Sequence, residues 1–127
     1  MIVLDANVLI AFLDATDGHH TTTVGLLERH FVDGFASSVL TVAEALVHPV
    51  RAGRQDAAMT ALQKVGVQIL PIDASSAVAL AHVRYTYSLR MPDAVALHAA
   101  LTTGSDLATF DSALISAAER AGVAIAD

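Results

Sequence analysis

The chain contains no cysteine and no tryptophan. Without cysteine it can form no disulfide and no thiolate metal centre, which permits a reducing, cytoplasmic setting. Aromatic residues make up 5% of the chain, so the core must be built from aliphatic side chains. Basic residues are also few: seven Lys and Arg face thirteen Asp and Glu, for a net charge of -6, and Lys64 is the single lysine. That balance argues against non-specific phosphate binding by the whole surface. It does not exclude a nuclease, because ligand carboxylates count as negative until cations sit among them. No apolar run approaches the ~18 residues needed to span a membrane. The first residues lack the basic segment of a secretion signal, so none is expected. The six histidines show no zinc-like spacing. No Ser-His-Asp order or Gly-rich phosphate loop stands out.

What is present is an apolar chain of 127 residues, 54% hydrophobic and 16% charged. That size and composition predict a single folded domain over residues 1–127. The stretch Ile2-Val3-Leu4 reads as a strand buried on both faces. It stops on Asp5, and Asn7 then opens a helical pattern through Val8, Leu9, Phe12 and Leu13. A buried strand feeding a helix is the first half of a βαβ unit. Further strands are predicted at 35–38, 67–72, 107–110 and 123–125. Helices are predicted at 7–14, from 17–20 to 31, at 41–47 ending before Pro49, and at 55–65. Three more follow at 74–89, capped by Asp73, at 91–101, and at 112–121. In the 74–89 helix, Ala77, Leu80, Ala81 and Tyr87 form the expected apolar face, and 50–54 reads as a loop. The alternation gives an α/β domain, three layers about a five-stranded parallel sheet.

Most of the acidic residues fall in turns, caps or wet helix faces, but four do not. Asp5 and Asp111 each follow a buried strand, at the carboxyl edge where open α/β sheets bind ligands. Asp93 lies in the first turn of a helix, where it either complements the helix dipole or serves a site. Glu44 lies in the apolar segment 39–47, where a lone charge needs water, a partner or a cation. Its simpler explanation is a capping box, Thr41-x-x-Glu44. Four carboxylates gathered without a lysine would repel one another, and hard divalent cations such as Mg²⁺ or Mn²⁺ resolve that conflict.

Four segments carry a family resemblance: Val3-Leu4-Asp5-Ala6-Asn7-Val8-Leu9, Thr41-Val42-Ala43-Glu44-Ala45-Leu46, Met91-Pro92-Asp93-Ala94-Val95-Ala96-Leu97 and Ala108-Thr109-Phe110-Asp111. Each is short, but together, with their acidic residues spaced by 39, 49 and 18 positions, they span nearly the whole chain. The sequence resembles the PIN-domain ribonucleases, and among them the VapC-type toxins of toxin–antitoxin pairs. The resemblance implies a sheet order of 3-2-1-4-5. It implies that Asp5, Glu44, Asp93 and Asp111 bind Mg²⁺ or Mn²⁺, and that Asn7 and Thr109 order that set. It also implies hydrolysis of RNA phosphodiester bonds and a small antitoxin that silences the toxin. His98 departs from the family's pattern, which more often has a small residue there.

Arg51, Arg54, Arg84 and Arg90 are the candidates for phosphate contacts, with solvated surface charge as the alternative for each. Leu9, Phe12, Leu13, Val24 and Leu27 are candidates for facing an antitoxin helix. A two-fold homodimer is expected. Two other functions compete: a receiver-like phospho-signalling module, and a PIN fold kept only as a binding scaffold. The first needs a lysine after the fifth strand, and Lys64 lies elsewhere; the second is opposed by the presence of all four carboxylates.

Overall fold

Ile2–Leu4 forms β1, the strand around which the layers assemble in the computed structural model, which describes residues 1–127. All three of its residues are buried, as a strand covered on both faces requires. Ile2 and Leu4 point into one apolar cluster, with Val8, Leu9, Leu26, Leu27, Phe35, Val42 and Leu62. Val3 points into the other, with Leu97, Leu107, Leu114, Ala117 and Val123. The alternation along one strand therefore separates the two helical layers.

The chain continues as α1 (Ala6–Leu13), α2 (His20–Arg29), β2 (Phe35–Ser38), α3 (Val39–Arg51), α4 (Gln55–Val65) and β3 (Val67–Leu70). A short 3₁₀ turn, Ala74–Ser76, precedes α5 (Ala77–Tyr87), α6 (Met91–Thr103), β4 (Asp106–Ala108) and α7 (Ser112–Arg120). The sheet is parallel, with order β3-β2-β1-β4. The α/β class and the order of these strands agree with expectation, but the sheet has four strands and not five. Residues 123–125 do lie beside β4, in the parallel sense, as a single bridge between Leu107 and Ile125. Two hydrogen bonds flank that bridge, from Leu107 N–H to Ala124 O and from Ala126 N–H to Leu107 O, both 2.9 Å. With β4 itself only three residues long, no further pairing develops.

Other boundaries differ for identifiable reasons. Helix α3 starts two residues before Thr41, because the Ser38 hydroxyl caps it by accepting from Leu40 N–H. It also runs through Pro49 to Arg51, so Arg51 belongs to its last turn and not to a loop. A proline there forfeits one backbone hydrogen bond, while the buried face of Thr41, Val42 and Ala45 stays packed. Asp73 caps the 3₁₀ turn and not a long helix, and of the expected apolar face of α5 only Leu80 is buried. Gly66, with φ of 83°, ends α4 in the left-handed region as anticipated.

Helix α6 has more buried residues than any other helix. Asp93, Ala94, Val95, Ala96, Leu97, Ala99 and Ala100 are all buried. Leu97 is 0% exposed, whereas Leu101, one turn later, is 39% exposed. Leu97→Ala should therefore cost about 2–5 kcal/mol in urea unfolding, and Leu101→Ala less than about 1 kcal/mol. Equal losses for the two would contradict this burial of α6.

Candidate active site

The register of β1 on β4 builds the centre of the site. Leu4 pairs with Ala108, and Asp5 N–H donates to Ala108 O at 3.0 Å. The next residues, Asp5 and Thr109, therefore lie side by side at the carboxyl edge. The Thr109 hydroxyl donates to Asp5 Oδ2 at 2.8 Å, while Asp5 Oδ1 accepts from Ala6 N–H at 2.8 Å and caps α1. Thr109 Oγ1 in turn accepts from Asn7 Nδ2 at 3.3 Å and from Asp111 N–H at 3.1 Å. Asn7 Oδ1 accepts from Phe110 N–H at 3.2 Å. One hydroxyl thus joins the ends of two strands and the starts of two helices.

The four expected carboxylates have different surroundings. Asp5 is 5% exposed, and no Lys, Arg or His pairs with it. Burial pushes its pKa from 3.8 up to about 6; the bonds from Thr109 and Ala6 oppose the rise, and the charges of Asp93 and Glu44 add to it. Asp93 is 7% exposed in the first turn of α6. Burial also raises its pKa, helped by the charge of Asp111 and opposed by Arg90, whose Nε lies 3.6 Å from Asp93 Oδ2. Asp111 does not end a strand directly. It caps α7, with Oδ1 accepting from Ala113 N–H at 2.8 Å and Leu114 N–H at 3.3 Å.

Glu44 is exposed, so water is the counterpart its charge meets in the apolar segment 39–47. The capping box fails, since Thr41 is buried inside α3 and Ser38 is the cap. Glu44 instead stands between two clefts. One, of about 370 Å³, also has Ile10, Asp14, His48 and Arg51 in its walls. The other, of about 280 Å³, lies between α3 and α6, lined by Leu40, Thr41, Met91, Pro92 and Val95.

In kind, these donors fit a hard divalent cation: all are carboxylate oxygens, and the most buried of them has no counter-ion. In spacing the set is open, because no three acidic or histidine side chains stand close enough to hold an ion as they are. The carboxylates feel one another's charge without converging.

The candidate basic residues separate into two pairs. Arg51 and Arg54 line clefts beside α3, the Arg54 cleft measuring about 460 Å³. Arg84 is tied to its own helix end by a bond from Nε to Leu89 O, and Arg90 pairs with Asp93. Sequence reasoning missed a face-to-face stack of His19 on Phe110, with ring centroids 4.1 Å apart and planes 10° apart. The aromatic residue between Thr109 and Asp111 was its only sequence signal.

A family model described as the PIN domain matches residues 2–120. The chain belongs to the PIN domain family. That membership removes the receiver-like alternative. Solved structures agree on this PIN fold. A chain of the FitAcB structure from Neisseria gonorrhoeae is 23% identical, with a TM-score of 0.73 over 100% of this chain and 97% of that one. A toxin–antitoxin complex from Klebsiella pneumoniae gives 21% identity and a TM-score of 0.72 over 91% of each chain. A VapC protein of Mycobacterium tuberculosis, described as a sarcin–ricin loop cleaving toxin, gives 16% and 0.71, over 92% of this chain and 95% of that one. Among curated proteins no sequence match is found.

The raised pKa of Asp5 makes a signed prediction for the metal-free protein. The unfolded carboxyl ionises near 3.8, whereas the folded one keeps its proton until about 6. Its contribution to stability is thus complete below the lower value and lost as pH rises through the upper one. The difference amounts to about 3 kcal/mol. In EDTA, Asp5→Asn should gain on wild type by that order between about pH 4 and about pH 7 in urea unfolding. Parallel stability profiles for the two proteins would show that Asp5 is not desolvated.

Proposed function

We propose that this PIN domain is a metal-dependent endoribonuclease and the toxin of a toxin–antitoxin pair. One observation carries the reading: Asp5 is a buried carboxylate with no basic partner, and Asp93 and Glu44 add to its charge. A group so placed is stabilised by a cation. Asp5, Asp93, Asp111 and Glu44 would hold Mg²⁺ or Mn²⁺, which suit oxygen donors. Such an ion, when bound, supplies neutralisation of the phosphodiester charge and activation of the attacking water.

The protein's own residues prepare that chemistry. Thr109 fixes one oxygen of Asp5 and favours its charged form. Asn7 braces Thr109 and the Phe110 backbone, and so the turn that carries Asp111. Arg90 is 79% exposed in its side chain and is free to exchange Asp93 for a phosphate. Arg51 and Arg54 extend the phosphate path along the clefts beside Glu44. The description of the Mycobacterium tuberculosis neighbour as a loop-cleaving toxin supports an RNA substrate.

The antitoxin is assigned to a groove of about 470 Å³ on the far side of α1. Phe12, Val24, Leu27, Phe31 and Val65 line it, with Glu28 and Lys64 among its walls. Phe31 is 61% exposed there. An apolar floor with one charge of each sign fits an amphipathic helix. Leu9 is excluded from this surface, since it is 0% exposed, and Leu13 lines the clefts on the α3 side instead. The Klebsiella pneumoniae neighbour, described as a toxin–antitoxin complex, supports such a partner. The expected homodimer belongs to the same proposal. No helix is long and apolar enough to cross a membrane.

The purified chain should cut single-stranded or loop RNA with Mg²⁺ or Mn²⁺ and stop in EDTA. Asp5→Asn, Asp93→Asn and Asp111→Asn should each lower kcat/KM by about a hundredfold or more, and exposed Glu44→Gln by less. Cleavage by wild type that is equal in EDTA, and that is absent from an Asp5→Asn preparation purified in the same way, would remove the metal mechanism. Light scattering at high micromolar concentration should give twice the chain mass; a monodisperse monomer would count against the dimer.

A further inference from the structure

Beside the carboxylate rim, two aromatic rings lie face to face. His19 stacks on Phe110 at 4.1 Å, with the planes 10° apart. Both partners are held in place. The His19 N–H donates to Asp17 Oδ1 at 2.8 Å at the start of α2, and the Phe110 N–H donates to Asn7 Oδ1. Phe110 is half-buried against the apolar cluster of Leu4, Val8 and Leu9. Phe110 covers one face of the imidazole, and His19 as a whole stays exposed. In the chain, Phe110 lies between Thr109, which binds Asp5, and Asp111.

Phosphate contacts are scarce around this place. Arg84 is bound to the Leu89 carbonyl and Arg120 to the Tyr87 carbonyl, which leaves Arg90, Arg51 and Arg54 as the few cations for a phosphate path. The net charge of -6 opposes RNA as well. Affinity that does not depend on neutralising phosphates must come from the bases, and stacking on an aromatic ring accepts any unpaired base. We propose that His19, backed by Phe110, is a stacking platform for an unpaired nucleobase flanking the scissile phosphate. The platform rests on the ribonuclease reading above. His19 is on this account a positioning residue: it fixes the nucleotide, and the carboxylates act on the neighbouring phosphate.

The test uses the full chain in Mg²⁺ and a single-stranded oligoribonucleotide cut at one mapped position. Each nucleotide flanking the cut is replaced in turn by an abasic ribose. For wild type, one of these replacements should raise KM by roughly tenfold. His19→Ala should raise KM on the intact substrate by a similar factor, with kcat within about threefold, and the abasic replacement should then add nothing. His19→Tyr should restore the lower KM, and His19→Lys should not. If His19 only anchors the loop before α2, His19→Ala will lower Tm and penalise intact and abasic substrates alike. Penalties that multiply, a loss confined to kcat, or rescue by His19→Lys and not by His19→Tyr each overturn the platform. A wild-type chain that cuts no RNA with either metal overturns the nuclease reading together with the platform; cutting with independent penalties removes the platform alone.

Discussion

The hydrogen bond from the Thr109 hydroxyl to Asp5 is the contact on which the site depends. It joins the residues just past the last register pair, Leu4 and Ala108, so it exists only when the two strands are correctly aligned. A slip of one residue would turn both side chains to the other face of the sheet. The same oxygen accepts from Asn7 and from the Asp111 backbone. Three of its geometric options are therefore used, and none is left for water. The sheet, the start of α1 and the entry to α7 are tied together by one atom.

The carboxylates around that atom are each fixed by hydrogen bonds or an ion pair to the protein. Asp5 and Asp111 each spend one oxygen capping a helix. Capping fixes where the group stands and complements the helix dipole. In Asp5 the second oxygen is held as well, by the Thr109 hydroxyl. Asp93 reaches the same rim from a different layer, through the first turn of α6. The rim is thus assembled from two faces of the sheet, and its repulsion is spread over elements that the core holds apart.

Much of this was legible in the sequence, for particular reasons. Ile2-Val3-Leu4 followed by Asp5 could be read because a strand buried on both faces leaves no polar residue until it ends. The Asn7 and Thr109 positions came from resemblance, since nothing in composition links residues so far apart. For Glu44 the sequence left water, a partner or a cation open as its counterpart; the structure gives it water, because residue 44 falls on the exposed face of α3 opposite Thr41, Val42 and Ala45. Pro49 was read as a stop, but packing of the preceding turns outweighs one missing donor. The fifth strand was read at full length because Val123-Ala124-Ile125 has the right residues, while pairing depends on how far β4 extends. The His19–Phe110 stack could not be read at all, because it is a tertiary contact between two loops.

Helix α6 packs against β1 and β2 and is rich in small buried side chains: Ala94, Ala96 and Ala100 are each at most 1% exposed. Methyl side chains let the helix axis come close to β1 and β2. They also leave no room for anything larger, since a well-packed interior yields little to an added methylene. A valine or leucine at any of these positions would lift the helix, and Asp93 would travel with it. The tolerance of this rim to sequence drift is therefore narrower than its acidic residues alone suggest. It is set by a hidden surface several residues away, where a change that conserves hydrophobic character still moves a charge.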